Sequence, residues 1–103
     1  MNPLTELRGI VTVLNTPFDD SLEVDLAALC RHVEYALEAE VTGFLVPAMA
    51  SEVTKLSEAE RRDVLSAVLE TVGGTRPVIA GVYADDRESR IRLAKDYVAL
   101  GAS

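Results

Sequence analysis

At 103 residues, 49% hydrophobic and 26% charged, the chain has the size and make-up of one ordinary globular domain. Its net charge of −7 works against binding nucleic acid or an anionic membrane, since both depend on clustered lysine and arginine. No window approaches 18 apolar residues, and residues 1–6 have neither the basic flank nor the apolar core of a signal peptide, so a cytoplasmic protein with no membrane partner is expected. A lone Cys30 cannot form an internal disulfide, which agrees with a reducing compartment.

Three short apolar runs open at Ile10, Phe44 and Val78, each 34 residues after the last. The first reads IVTVL and, lacking strict polar alternation, predicts a strand of a parallel sheet buried on both faces. A helix follows over residues 25–39, with Asp25 as N-cap and Leu26, Leu29, Cys30, Val33 and Leu37 on its buried stripe. FLVP is the second strand. Ser57-Glu58-Ala59-Glu60 then forms a capping box that starts a helix over residues 58–72, its stripe Leu65, Val68, Leu69 and Val72, and Gly73-Gly74 can take the left-handed geometry that stops it. Pro77 leads into the third strand, VIAGV, and Asp85 or Asp86 caps a helix over residues 87–100 whose inward face is expected at Ile91, Ala94 and Val98.

A strand and a helix written three times predict three βα units with parallel strands. Paired-helix or ankyrin-type solenoids share the period but need two helices per repeat. A (β/α)₈ barrel runs to about 250 residues, so residues 1–103 are expected to be the N-terminal, incomplete part of a single barrel domain. Two open sheet edges and uncovered apolar surface would make such a segment prone to self-association. In parallel α/β architectures ligands collect at the carboxyl ends of strands, which here means residues 15–20, 47–54 and 83–86.

The residues in and around those segments carry a resemblance. Thr16-Pro17-Phe18, Val24-Asp25-Leu26, Gly43-Phe44-Leu45-Val46, the run from Ser51 through Leu56 to Arg61, Pro77-Val78-Ile79-Ala80-Gly81, Leu93-Ala94-Lys95 and Leu100-Gly101-Ala102 are similar, in order and spacing, to the dihydrodipicolinate synthase / N-acetylneuraminate lyase family. That resemblance implies a (β/α)₈ barrel, commonly tetrameric, in a class I aldolase or dehydratase that uses pyruvate or another 2-keto acid. It implies a lysine on a later strand that forms a Schiff base, a proton-relaying tyrosine further along, and no cofactor or metal. Both residues would lie beyond Ser103, so this chain alone is expected to lack the reaction. Lys55 and Lys95 lie in the approach to a helix and inside one, and read as solvated lysines.

The resemblance also implies a Gly-Thr-Thr-Gly-Glu or Gly-Ser-Thr-Gly-Glu loop that holds the substrate carboxylate. Here it reads Ala48-Met49-Ala50-Ser51-Glu52. Both hydroxyl donors are replaced, by Met49 and Ala50, at a cost of about 1.5–3 kcal/mol for each charge-assisted bond. Ser51 stands where glycine is usual, and its hydroxyl is a candidate to replace part of the donor set, while the backbone amides of Met49 and Ala50 can still cradle a carboxylate. The departure points to a divergent member, acting on 2-keto-3-deoxy sugar acids or hydrophobic aldehydes, or to a catalytically silent barrel.

Other candidates carry two readings each. Thr16 either lines the barrel near the substrate or satisfies a strand-end amide, and Tyr83 either faces the mouth or packs on the rim. Glu52 reads as an acceptor for loop amides or as a general base. His32, with no second ligand nearby, reads as a surface residue and Cys30 as a core one. A different class of function uses Asp19-Asp20 and Asp85-Asp86, whose oxygens suit a divalent cation in a receiver-type phospho-acceptor domain.

Overall fold

The computed structural model describes residues 7–103, so the reading of residues 1–6 lies outside the described residues. Three strands, β1 (Val11–Val13), β2 (Gly43–Leu45) and β3 (Val78–Ile79), alternate with three helices, α1 (Leu26–Glu38), α2 (Glu58–Val72) and α3 (Arg87–Leu100). They form one sheet in the order β1-β2-β3, and both pairings are parallel. This is the architecture of three successive βα units of a (β/α)₈ barrel. A receiver domain has the doubly wound order that places its first strand between the second and third. With β2 in the middle instead, the phospho-acceptor reading falls, and strands sharing a sheet dispose of the solenoid.

The register puts Thr12 opposite Phe44, and Phe44 opposite Val78. The 34-residue spacing therefore holds between β2 and β3, whereas β1 is displaced by two residues from the position Ile10 would give it. An even displacement keeps every side chain on its expected face. The strands are shorter than the apolar runs, although ladder-like bonds run one residue further, from Leu14 N to Leu45 O at 3.3 Å and from Val46 N to Ile79 O at 3.0 Å. Pro47 has no N–H with which to continue β2.

Phe44, Val46 and Val78 are buried in one core with Leu29 and Val33 of α1, Val64, Leu65 and Val68 of α2, and Leu93 and Tyr97 of α3. On the opposite face of the sheet Leu45 and Ile79 are half-buried and Val13 is exposed. Burial on both faces was expected. Among the described residues only the helix-bearing face is covered. In α1 the stripe of Leu29, Cys30, Val33 and Leu37 is buried or half-buried, but Leu26 is exposed at the helix start. Cys30 lies against α2, where its Sγ is 3.2 Å from the Thr71 hydroxyl, and His32 is exposed.

Capping follows the local chemistry. The Asp25 carboxylate accepts from Ala28 N at 3.0 Å, and Ser57 and Glu60 exchange hydrogen bonds of 3.1 and 2.8 Å. Gly73 closes α2 at φ +63°. Of the two candidates at α3, Asp86 is the cap, accepting from Ser89 N at 2.9 Å. Past the end of α1, Glu40 occupies the left-handed region at φ +62°, a place normally given to glycine.

The face expected for α3 is corrected. Ile91, Ala94 and Val98 are exposed, and the helix buries Leu93 and Tyr97 with Leu100 packed beside them. α3 carries two apolar stripes on different sides, and α2 takes the one that contains the large Tyr97. The Tyr97 hydroxyl is buried without a hydrogen-bond partner among the described residues, and burial pushes its pKa up.

Two predictions follow from the termini. Glu40→Gly should stabilise the chain by about 1 kcal/mol by relieving a left-handed non-glycine residue, read as a higher urea midpoint at unchanged slope. Hydrogen bonding from Ser89 holds the Asp86 carboxyl below its usual range, and Arg92, at 3.1 and 3.3 Å, does the same for Glu58. A depressed folded-state pKa favours the folded chain above the ordinary carboxylate range and loses that contribution as pH falls through the folded value. Urea midpoints should therefore drop on acidification below that range, and Asp86→Asn, which still caps but does not titrate, should drop less.

Candidate functional site

Because the three strands are parallel, residues 14–16, 46–51 and 80–83 all emerge at one end of the sheet. After Pro47 the chain makes two 3₁₀ turns, Met49–Ser51 and Val53–Lys55, joined at Glu52 with φ +59°. Ser51 N and Val53 N both donate to the Ala48 carbonyl, at 3.0 and 3.4 Å. Ser51 is fully buried; its hydroxyl donates to the Leu14 carbonyl and accepts from Ala48 N at 3.2 Å. Thr16, also buried, returns the contact by donating its hydroxyl to the Ser51 carbonyl at 2.5 Å. The loop after β2 is thus latched to the exit of β1. On its other side it meets β3, where a Cβ at Gly81 would lie 2.1 Å from the Pro47 carbonyl oxygen, so only glycine fits.

The latch leaves two amides over. Neither Met49 N nor Ala50 N donates to an acceptor among the described residues, and both residues are exposed, Met49 to 90%. Adjacent N–H groups without an internal acceptor, on exposed residues, suit a carboxylate. The Ser51 hydroxyl proton goes to Leu14, so donors for an anion come from the Met49 and Ala50 backbone.

Met49, Ala50, Ser51 and Thr16 therefore come together in one cluster. Tyr83 stands apart on the rim. Its carbonyl accepts from Arg61 Nη1 at 3.1 Å, and the guanidinium carbon lies 5.1 Å from its ring centroid. The same guanidinium donates from Nε to the Val53 carbonyl at 3.1 Å. Arg61 was visible only as the last residue of the motif that begins at Ser51, and its signal was position, one turn inside a capped helix and facing back toward the loop.

Glu52 departs from expectation. Its carboxylate receives no loop amide and pairs instead with Lys55 Nζ at 3.6 Å, because the left-handed backbone turns the side chain toward solvent. Lys55 and Lys95 are both exposed, and the described residues contain no cluster suited to a metal. Asp19 spends its carboxylate on the amides of Ser21 and Glu23, at 2.8 and 3.1 Å, within its own turn.

If the latch holds the loop, Ser51→Ala strands a part-buried Ala48 amide and the buried Leu14 carbonyl and should cost about 2 kcal/mol. A chemical melt showing less than about 0.5 kcal/mol of loss would remove Ser51 from that role.

Comparison with known proteins bears on this arrangement. The family model described as "Dihydrodipicolinate synthetase family" matches residues 6–103. The 4-hydroxy-tetrahydrodipicolinate synthase of Bartonella quintana is 33% identical over 96 residues, covering 93% of this chain and 33% of that protein. The crystal structure of dihydrodipicolinate synthase from Thermotoga maritima superposes with a TM-score of 0.87 at 36% identity, over 93% of this chain and 32% of the other. The chloride-inhibited enzyme of Acinetobacter baumannii, complexed with pyruvate, superposes at 0.89 with 26% identity, over 93% and 33%. The chain spans about a third of the length of the curated relatives it matches. With the strand order and the matched sequence in agreement over nearly its whole length, the chain belongs to the dihydrodipicolinate synthetase family.

Proposed function

We propose that residues 1–103 are the N-terminal part of one (β/α)₈ barrel and supply the carboxylate-binding loop of a Schiff-base-forming lyase that acts on pyruvate or another 2-keto acid. The observation that carries this reading is the pair of unpartnered amides at Met49 and Ala50, held at the strand ends of a chain of this family. One similar structure is a pyruvate complex, which supports the substrate class.

In such a reaction a lysine amine adds to the keto carbon and loses water, and the protonated imine nitrogen then draws electrons from the neighbouring bond to give an enamine. Both lysines of this chain are exposed, whereas an imine-forming amine needs a buried site, so that residue belongs outside these 103 residues. The contribution of this part is orientation. Two amides fix the carboxylate, and through it the direction from which the keto carbon is approached. Met49 and Ala50 bring no hydroxyl to a proton relay, which favours a member whose relay runs through other groups, or a silent barrel. A homo-oligomeric, tetrameric parent in the cytoplasm comes with the same reading, and no helix among the described residues is long and apolar enough to cross a membrane.

The test is a titration of the isotopically labelled chain with pyruvate. Two charge-assisted bonds should give a dissociation constant of about 1 mM or weaker, read as shifts confined to the Met49 and Ala50 amides. Treatment with pyruvate and cyanoborohydride should leave Lys55 and Lys95 unmodified beyond background. Silent amides would favour the inactive barrel, and a specific lysine adduct would overturn the assignment of the imine to another segment.

A further inference from the structure

We propose that Arg61 is a positioning residue that fastens the loop after β2 to the exit of β3 and so sets the posture in which the Met49 and Ala50 amides meet an anion. The inference rests on the reading of those amides as carboxylate donors. Its geometry stands independently. The capping box at Ser57 and Glu60 fixes where α2 begins, and Arg61 N donates to Ser57 O at 2.9 Å, so the arginine starts from a defined point one turn in. From there one guanidinium reaches two carbonyls on different loops, Val53 by Nε and Tyr83 by Nη1, both at 3.1 Å, and lies over the Tyr83 ring.

Val53 in turn donates to Ala48, the residue before Met49. A continuous path therefore runs from the β3 exit through Arg61 and Val53 to the amide pair. Gly81 against Pro47 and Ser51 against Leu14 hold the near half of the loop. Arg61 holds its far half. No carboxylate forms an ion pair with Arg61 among the described residues, so direction rather than charge is what it supplies. A planar fork can address two carbonyls while stacking on a ring, and a lysine ammonium cannot reproduce that.

Residue-resolved amide exchange and the pyruvate titration, run on the wild-type chain, Arg61→Lys and Arg61→Gln, decide the matter. Both variants should exchange about tenfold faster at Ser51, Val53 and Lys55, while the α2 core at Val64 and Val68 stays as in the wild type. The affinity for pyruvate read at Met49 and Ala50 should fall about fivefold in both. Wild-type behaviour in Arg61→Lys with loss in Arg61→Gln would mean that charge, not placement, matters, and would overturn the proposal. So would equal acceleration in the α2 core, which marks general destabilisation, or unchanged exchange in the loop. A wild-type chain that ignores pyruvate would sink the carboxylate reading, while the loop exchange would still decide whether Arg61 is a clamp.

Discussion

A parallel ladder obliges all of its strands to leave the sheet at the same edge, and everything distinctive about this chain is arranged around that obligation. Three exits with different sequences crowd into one rim, where each must satisfy its backbone without the help of a further ladder bond. The solution is mutual. Ser51 gives its proton to Leu14, Thr16 gives its own to Ser51, Gly81 makes room for Pro47, and Arg61 spans from Val53 to Tyr83. What remains after this accounting is the amide pair at Met49 and Ala50, the first two residues of a 3₁₀ turn, whose N–H groups have no intrahelical acceptor.

Seen this way, serine in the place of the usual loop glycine is a change of fastening. A glycine can offer only its backbone, whereas the Ser51 side chain reaches a carbonyl 37 residues earlier in the chain. The hydroxyls missing at 49 and 50 and the hydroxyl present at 51 therefore do different work. The first belong to the expected carboxylate-binding pattern; the one present faces the protein. The loop carries no side-chain hydroxyl at 49 or 50 and holds its backbone by a buried one.

Much of the scaffold was legible in the residues because local signals agreed. Ser57, Glu60 and Gly73 bracket α2, Asp25 opens α1, and the evenly spaced runs at Phe44 and Val78 pair with each other in register. Where two readings competed, the sequence could not arbitrate. α3 offers Ile91 and Val98 on one side and Leu93 and Tyr97 on the other, and only the position of α2 selects between them. The rim was the least legible part. That Glu52 would take a left-handed backbone and turn outward, that the Ser51 hydroxyl would be used internally, and that Arg61 would bridge two loops all depend on contacts between residues far apart in the chain, which spacing and composition do not encode.

The latch between Ser51 and Leu14 also has a direction in time. Translation proceeds from the amino end, so the acceptor exists before the donor has been made, and domains tend to organise in that order. The loop that carries the free amides therefore leaves the ribosome after the carbonyl that receives its serine. A permuted gene that synthesised the second unit ahead of the first would reverse this sequence of events, leaving an unanchored segment to search for a carbonyl that the ribosome had yet to deliver.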